Sequence, residues 1–210
     1  MHIFTTAQYL SFIAASVLIT FAPGPDNLAI IGLGLSRGRK AGMGFALGCA
    51  LGCLTHTTWA TLGVAAVIAA SPVAFQVMKM AGATYLFYLG IKALRSGGST
   101  VKQGETGEDE AKEFIRRGFI ANSLNPKVAL FFLAFLPQFV NQSGSVAVQM
   151  ALLGLTFTML TIFIFVTLGH FSGQIGGWLR GRKRFSVWMD RATGCLFIGL
   201  GLKLALFQHK

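Results

Sequence analysis

The chain has 210 residues, of which 53% are hydrophobic and only 12% are charged. Soluble domains carry about 25% charged residues, so this composition excludes an ordinary water-soluble domain and indicates a protein whose solvent is hydrocarbon. The formal charge of +11 would suit a nucleic-acid partner only if the basic residues formed one contiguous surface, and their spacing along the chain argues against such a partner.

Six apolar segments follow one another along the chain, each close to or longer than the roughly 20 residues that a helix needs to cross a bilayer. They predict an all-α, polytopic protein with six transmembrane helices that form one integral membrane domain. The lipid bilayer is therefore its first expected partner. The predicted segments are 4–35, 41–70, 73–94, 114–140, 146–179 and 187–207.

The first segment is interrupted by Pro23, Gly24 and Pro25, which are followed directly by Asp26 and Asn27. The prolines donate no backbone hydrogen bond and glycine tolerates open backbone angles, so one helix should end there and a half-helix should begin near Asp26. Irregular backbone at membrane depth is tolerated only against protein or a polar cavity. Asp26 then either caps the new half-helix or binds substrate or coupling ion in that cavity.

The second segment contains Gly44, Gly48 and Gly52 at four-residue spacing, and His56 continues the series. Glycines four apart lie on one helix face and let a neighbouring helix approach closely, so we predict helix packing along them. His56 lies among threonines in an apolar helix. It forms either an interhelical hydrogen bond or part of a proton relay.

The cysteines Cys49, Cys53 and Cys195 all lie in predicted helices, which does not support a disulfide framework. Cys49 and Cys53 share a helix face with His56, and soft metals favour such ligands. This pattern leaves open a heavy-metal exporter or a membrane thiol carrier. Three ligands from one helix do not complete a metal site, so we expect no bound metal and no cofactor.

A polar stretch at 96–113 separates three segments from the other three and is predicted to be a cytoplasmic linker. The two halves are then 1–95 and 114–210. Three is an odd number, so the second half enters the membrane in the opposite sense and any repeat must be inverted. Five of the seven acidic residues lie in the linker: Glu105, Glu108, Asp109, Glu110 and Glu113.

The fourth segment carries a second interruption, Asn125-Pro126-Lys127. A cation at a new helix start opposes the helix dipole, so Lys127 needs a nearby anion, either Asp26 or the carboxylate of a ligand. Paired breaks in corresponding segments predict a binding site near the bilayer midplane. Our hypothesis is that Asp26 and Lys127 pair in the empty state and separate to hold the ammonium and carboxylate of a zwitterion.

Basic and uncharged links alternate along the chain, and the links at 71–72 and 138–145 carry no charge. By the positive-inside rule the basic links are cytoplasmic, which places both termini on the non-cytoplasmic face. The basic residues are Arg37, Arg39 and Lys40 in the first link, Lys92, Arg95, Lys102, Lys112, Arg116 and Arg117 in and around the third, and Arg180, Arg182, Lys183, Arg184 and Arg191 in and around the fifth.

Taken together, these motifs resemble the lysine and homoserine/threonine exporter (LysE/RhtB) family of bacterial amino-acid efflux proteins. The resemblance rests on residues 23–27 and 125–127 at the two breaks, on the turn at residues 36–42, on the series from Gly44 to His56 and on residues 85–90. It implies a multi-pass inner-membrane exporter of small amino acids or their derivatives, not an enzyme, driven by an ion gradient and able to form homodimers.

The resemblance also implies substrate-binding or ion-coupling roles for Asp26, Asn27, His56, Asn125 and Lys127, with Pro126 as the second helix break. No phosphate-binding loop for ATP is present, so an ion-driven antiporter is expected. The expected coupling ion is the proton, with Asp26 as the carboxylate that would carry it. Asp26 is expected to be the one acid deep in a segment. This favours neutral substrates such as threonine, homoserine or leucine.

Overall fold

The structure, a computed structural model, describes residues 4–64, 66–67, 71–97, 111–141, 144–179 and 182–206. Within these ranges the fold is all-helical without a strand, which confirms the all-α part of the predicted fold class. Most of the linker predicted at 96–113 lies outside the described residues. The α-helices in the described ranges are α1 Thr6–Phe21, α2 Pro25–Arg37, α3 Arg39–Trp59, α4 Pro72–Leu94, α5 Ala111–Ser123, α6 Pro126–Leu130, α7 Val146–His170, α8 Ser172–Leu179 and α9 Lys183–Leu206.

The first apolar segment is a bent pair of helices, with α1 and α2 inclined by 52°. The side chain of Thr5 caps α1 and Gln8 completes the capping box. At the other end of α1 the chain turns at Ala22, and α2 begins with Pro25 at its first position, where a missing backbone N–H costs no helical hydrogen bond. Gly38, at φ 85°, then makes the turn into α3.

The fourth apolar segment has a nearly equal bend, with 49° between α5 and the helical stretch Pro126–Phe139. The side chain of Asn125 caps α6 by accepting a hydrogen bond from the backbone N–H of Lys127. Beyond α6 the backbone winds into a π-helical turn, Phe131–Phe135, and then a 3-10 turn, Leu136–Phe139. A similar π-helical turn, Ala60–Val64, continues α3.

The fifth apolar segment, predicted as one helix at 146–179, is divided at Phe171 into α7 and α8. An unbroken helix of that length, at about 1.5 Å per residue, would outrun a hydrocarbon core of roughly 30 Å. The hydroxyl of Ser172 donates to the carbonyl of Gly169 at 2.6 Å. This bond satisfies a carbonyl that the ending helix leaves free.

By length and apolar composition, α7 is the one described helix that could cross a bilayer by itself. Each bent pair would add a crossing if its two parts form one broken span, which gives up to three. The helices α3, α4 and α9 have 21, 23 and 24 residues but do not reach the same apolarity. The total of six spans therefore stays a prediction.

Close packing of α3 against α5 is made possible by glycine on both helices. A Cβ built on Gly48 would overlap the carbonyl of Ile115, and one built on Gly118 would overlap the carbonyl of Phe45. The neighbouring glycines of α3 leave slightly more room. A Cβ at Gly44 would lie 3.2 Å from the Cβ of Phe114, and one at Gly52 would lie 2.8 Å from the Cβ of Asn122.

This packing predicts a graded loss of stability in three alanine variants. Gly48→Ala forces two helix backbones apart and should cost about 1–3 kcal/mol, as overpacked cores do, whereas Gly44→Ala should cost least. The decrease in the melting temperature of the purified protein should be largest for Gly48→Ala, smaller for Gly52→Ala and smallest for Gly44→Ala. Gly199→Ala is the control, because a Cβ at Gly199 meets no atom within 4 Å. Equal melting temperatures for Gly48→Ala and Gly199→Ala would contradict the close approach.

Candidate functional site

The two helix breaks face each other inside the protein and bring together the residues that the sequence singled out. All five of the predicted binding or coupling residues are buried: Asp26 (4% exposed), Asn27 (7%), His56 (5%), Asn125 (4%) and Lys127 (8%). Together with Asn122, these residues are called the polar cluster below. The cluster lies between two apolar cores, one containing Cys53, Val128 and Phe132, the other containing Ile30 and Cys49.

The carboxylate of Asp26 is held by two amide groups from the second break. The Nδ2 atoms of Asn122 and Asn125 donate to Oδ2 of Asp26 at 2.7 and 2.9 Å. No described residue donates to the other oxygen, Oδ1. The N-cap of α2 is Gly24, and Asp26 is the second residue of the helix. The capping alternative for Asp26 is therefore not what the fold uses.

The ammonium group of Lys127 points at the first break, not at Asp26. Its Nζ donates to the carbonyl of Ala22 at 2.6 Å, and Ala22 is the C-cap of α1. Because the free carbonyls at a helix C-terminus carry partial negative charge, this position suits a cation. The bare backbone of Gly24 leaves room for it, since a Cβ there would lie 3.3 Å from Nζ.

The direct pairing of Asp26 with Lys127 that the sequence predicted is therefore wrong for this conformation. Both residues are described, and their charged groups form no ion pair. Asn125 stands between them, with Nδ2 donating to Asp26 and Oδ1 accepting from the backbone N–H of Lys127 at 3.0 Å. The charges are bridged through one amide.

Asn27 keeps one of its polar atoms unused. Its Nδ2 donates to the carbonyl of Thr20 at 3.0 Å, near the end of α1. Its Oδ1 is buried and accepts no hydrogen bond from any described residue. The first turn of α2 thus presents two oxygens that accept no hydrogen bond from the described part of the chain, Oδ1 of Asp26 and Oδ1 of Asn27.

His56 joins α3 to α5. Its Nε2 lies 2.9 Å from the backbone oxygen of Asn122, and its ring lies 5.8 Å, centroid to centroid, from that of Phe132. A carbonyl only accepts, so Nε2 carries the proton and donates. The interhelical hydrogen bond that we considered for His56 is therefore present, and a proton relay stays a prediction.

Sequence reasoning missed Asn122. This residue is fully buried and contacts both Asp26 and His56. A signal was available, because Asn122 lies three residues before Asn125 in the fourth apolar segment, so the two amides lie on one side of the chain as it approaches the break.

The two cysteines of α3 take no part in a metal-ligand group. The Sγ of Cys53 donates to Oδ1 of Asn122 at 3.6 Å, and both Cys49 and Cys53 are fully buried free thiols. In the described part of the chain, no three potential metal ligands come together. The heavy-metal alternative gains no support from this geometry.

Asp26 is not the only buried acid, contrary to what the sequence led us to expect. Asp190 on α9 is 5% exposed and accepts a hydrogen bond from the hydroxyl of Ser96 at 2.5 Å. Lys79 on α4 is also buried. Both residues belong to the closely packed pair α4 and α9, in which Gly90 and Gly194 meet, and neither helix contributes to the polar cluster.

A helical protein in which two broken helices meet at a buried, charged site has the construction typical of membrane transporters. The chain belongs to the LysE type translocator family, whose sequence model matches residues 17–208. This confirms the resemblance inferred from the motifs and makes the chain a membrane protein.

Three relatives illustrate the breadth of this similarity. An uncharacterized membrane protein of Bacillus subtilis (strain 168) is 30% identical over 206 residues, which cover 94% of this chain and 98% of the relative. The leucine efflux protein of Klebsiella pneumoniae is 28% identical over 98% of each chain. The homoserine/homoserine lactone efflux protein of Salmonella typhi is 24% identical over 98% of this chain and 99% of the relative. No solved structure matches the chain significantly.

Proposed function

We propose that this protein exports small neutral amino acids or their derivatives across the bacterial inner membrane by ion-coupled alternating access. The observation that carries the proposal is that the polar cluster has hydrogen-bond donors and acceptors that are not used within the described residues. Oδ1 of Asp26 and Oδ1 of Asn27 accept nothing from the described residues, and the Lys127 ammonium, with three N–H donors, makes one hydrogen bond among them.

This capacity fits a zwitterion. An α-ammonium group supplies three donors and a positive charge, which match the carboxylate of Asp26 and the amide oxygen of Asn27. An α-carboxylate supplies acceptors and a negative charge, which match the ammonium of Lys127. A free amino acid carries both groups on one carbon, so it can bind the first and the second break at the same time.

The architecture supports alternating access. The two bends are nearly equal, 52° and 49°, and lie in the first apolar segment of each predicted half, 1–95 and 114–210. We propose six spans arranged as two inverted repeats, with both termini outside the cytoplasm. One half then rocks against the other around the breaks. A homodimer is compatible with this scheme and is not required by it.

A neutral substrate is favoured by the charge content of the cluster. Asp26 is its only acid and has to serve the α-ammonium group, so no second carboxylate is left for a basic side chain. The ring of Phe132 beside His56 offers an apolar surface instead. Two relatives are named for the efflux of leucine and of homoserine or homoserine lactone, and leucine and homoserine are neutral amino acids.

The proposal is tested by overexpression in a bacterial host that is fed dipeptides containing leucine, threonine or homoserine. Amino acids in the medium are profiled by mass spectrometry. We expect one or more neutral amino acids to accumulate outside the cells several-fold above the empty-vector level. An unchanged profile for every amino acid, with the protein present in the membrane, would contradict the proposal.

We further propose that protons drive export, with Asp26 as the carrier. Glu113, near the start of α5, is unsuited to carry a proton. Arg116 and Arg117 donate to its carboxylate and lower its pKa to about 2, so it stays ionised at physiological pH. Collapsing the proton gradient with an uncoupler, while sodium is held constant, should reduce export to the empty-vector level. Unaffected export would exclude proton coupling.

A further inference from the structure

Asn122, in the last turn of α5, contacts both α2 and α3 through one buried residue. Its Nδ2 donates to Oδ2 of Asp26 on α2 at 2.7 Å. On α3, its Oδ1 accepts from the thiol of Cys53 at 3.6 Å, and its backbone oxygen accepts from Nε2 of His56 at 2.9 Å. The side chain is 0% exposed.

The orientation of the Asn122 amide follows from these partners. Reversing it would set its oxygen against the carboxylate of Asp26 and its N–H groups against the thiol of Cys53. The orientation of Asn125 is fixed in the same way, because its Oδ1 accepts from the backbone N–H of Lys127. Two N–H donors therefore converge on one oxygen of Asp26.

We propose that Asn122 is a positioning residue that sets the carboxylate of Asp26 for cation binding. Together with Asn125 it engages Oδ2, so that Oδ1 is left as the atom that receives the α-ammonium group of an amino acid. This inference rests on the proposed function and names the atom that carries it. Asn122 acts through Asp26 and does not itself bind the substrate.

The position of Asn122 also gives it a part in the transport cycle. It belongs to the second predicted half, whereas Asp26, Cys53 and His56 belong to the first. Gly52 permits the close approach, since a Cβ there would lie 2.8 Å from the Cβ of Asn122. When the halves move apart, the contacts of Asn122 with Asp26 and with His56 break together, and the carboxylate loses its fixed orientation.

The test compares two variants at position 122 with a neighbouring control. Asn122→Ala removes the amide, and Asn122→Leu removes it while keeping the branched shape of the side chain; both keep the backbone carbonyl that His56 contacts. Ser123→Ala is the matched control, because Ser123 also faces α3 and accepts a hydrogen bond from the hydroxyl of Thr55 at 3.2 Å. Uptake of radiolabelled leucine and homoserine is measured in inside-out membrane vesicles over a range of concentrations.

We expect both Asn122 variants to raise the half-saturating concentration about tenfold, as the loss of one hydrogen bond to a charged group would. The maximal rate per folded protein should change less than threefold, and Ser123→Ala should match the wild type. A purely structural role would lower the amount of protein and leave the half-saturating concentration unchanged.

Wild-type half-saturating concentrations in variants that reach the membrane would overturn the inference. Absence of both Asn122 variants from the membrane, with Ser123→Ala present, would also overturn it, since Asn122 would then act in folding. The proposed function fails separately, if the wild-type protein itself shows no saturable uptake of either amino acid.

Discussion

Asp26→Asn is expected to reduce export strongly at subsaturating substrate while leaving the protein in the membrane. Asparagine has nearly the same shape, and its side-chain oxygen can still accept from Asn122 and Asn125, so the two breaks stay joined. The negative charge that faces the substrate's ammonium group is lost. A hydrogen bond to a charged group is worth about 1.5–3 kcal/mol, so affinity should fall roughly 10- to 150-fold.

The control for this variant is Asp190→Asn. It applies the same change to an aspartate that is equally buried but lies on α9 with the hydroxyl of Ser96 as a partner. Amino-acid efflux and the amount of each variant in the membrane are measured in parallel. Export by Asp26→Asn at the wild-type level, with equal protein in the membrane, would remove Asp26 from the binding site and with it the zwitterion hypothesis.

The helix breaks are the part of this fold that the sequence predicts best, because their causes are local. Pro25 and Pro126 have no backbone donor and sit at the first position of α2 and α6. A proline inside an apolar helical segment removes a backbone hydrogen bond and kinks or breaks the helix there. The helix breaks also predict where the polar cluster lies, because interrupted backbone at membrane depth needs polar surroundings.

The partners of the charged groups were not predictable in the same way, because they depend on how two distant segments cross. Lys127 finds the carbonyl of Ala22, 105 positions earlier in the chain. Asp26 finds two amides of the second break. A sequence shows that a buried lysine needs an acceptor, but it does not show whether a carboxylate or a helix C-terminus provides that acceptor.

The resulting arrangement is reciprocal. The acid of the first break is held by amides of the second, and the base of the second break is held by the end of α1 in the first. Each break is thus stabilised by the other, and neither charge is neutralised by direct contact with its opposite. A substrate that carries both charges can then bind without first separating an Asp26–Lys127 ion pair. Separating such a pair would make binding of the substrate less favourable.

Lys127→Met should weaken substrate binding as much as Asp26→Asn does, and it should also destabilise the fold. Methionine keeps the length and apolar volume of the side chain but removes the charge for the substrate's carboxylate, so the half-saturating concentration should rise at least about tenfold. It also leaves the buried carbonyl of Ala22 without its donor, at a cost of about 1–3 kcal/mol. The melting temperature should therefore fall by several degrees.

A ligand titration separates these two effects. Added leucine or homoserine should raise the melting temperature of the wild-type protein, because a ligand that binds only the folded state stabilises it. The same concentration of amino acid should raise the melting temperature of Lys127→Met much less. Lys79→Met is the matched control, since Lys79 is likewise buried but lies on α4. If Lys127→Met were still stabilised by the amino acid as strongly as the wild type, Lys127 would serve only to cap α1, and the substrate's carboxylate would have to bind elsewhere.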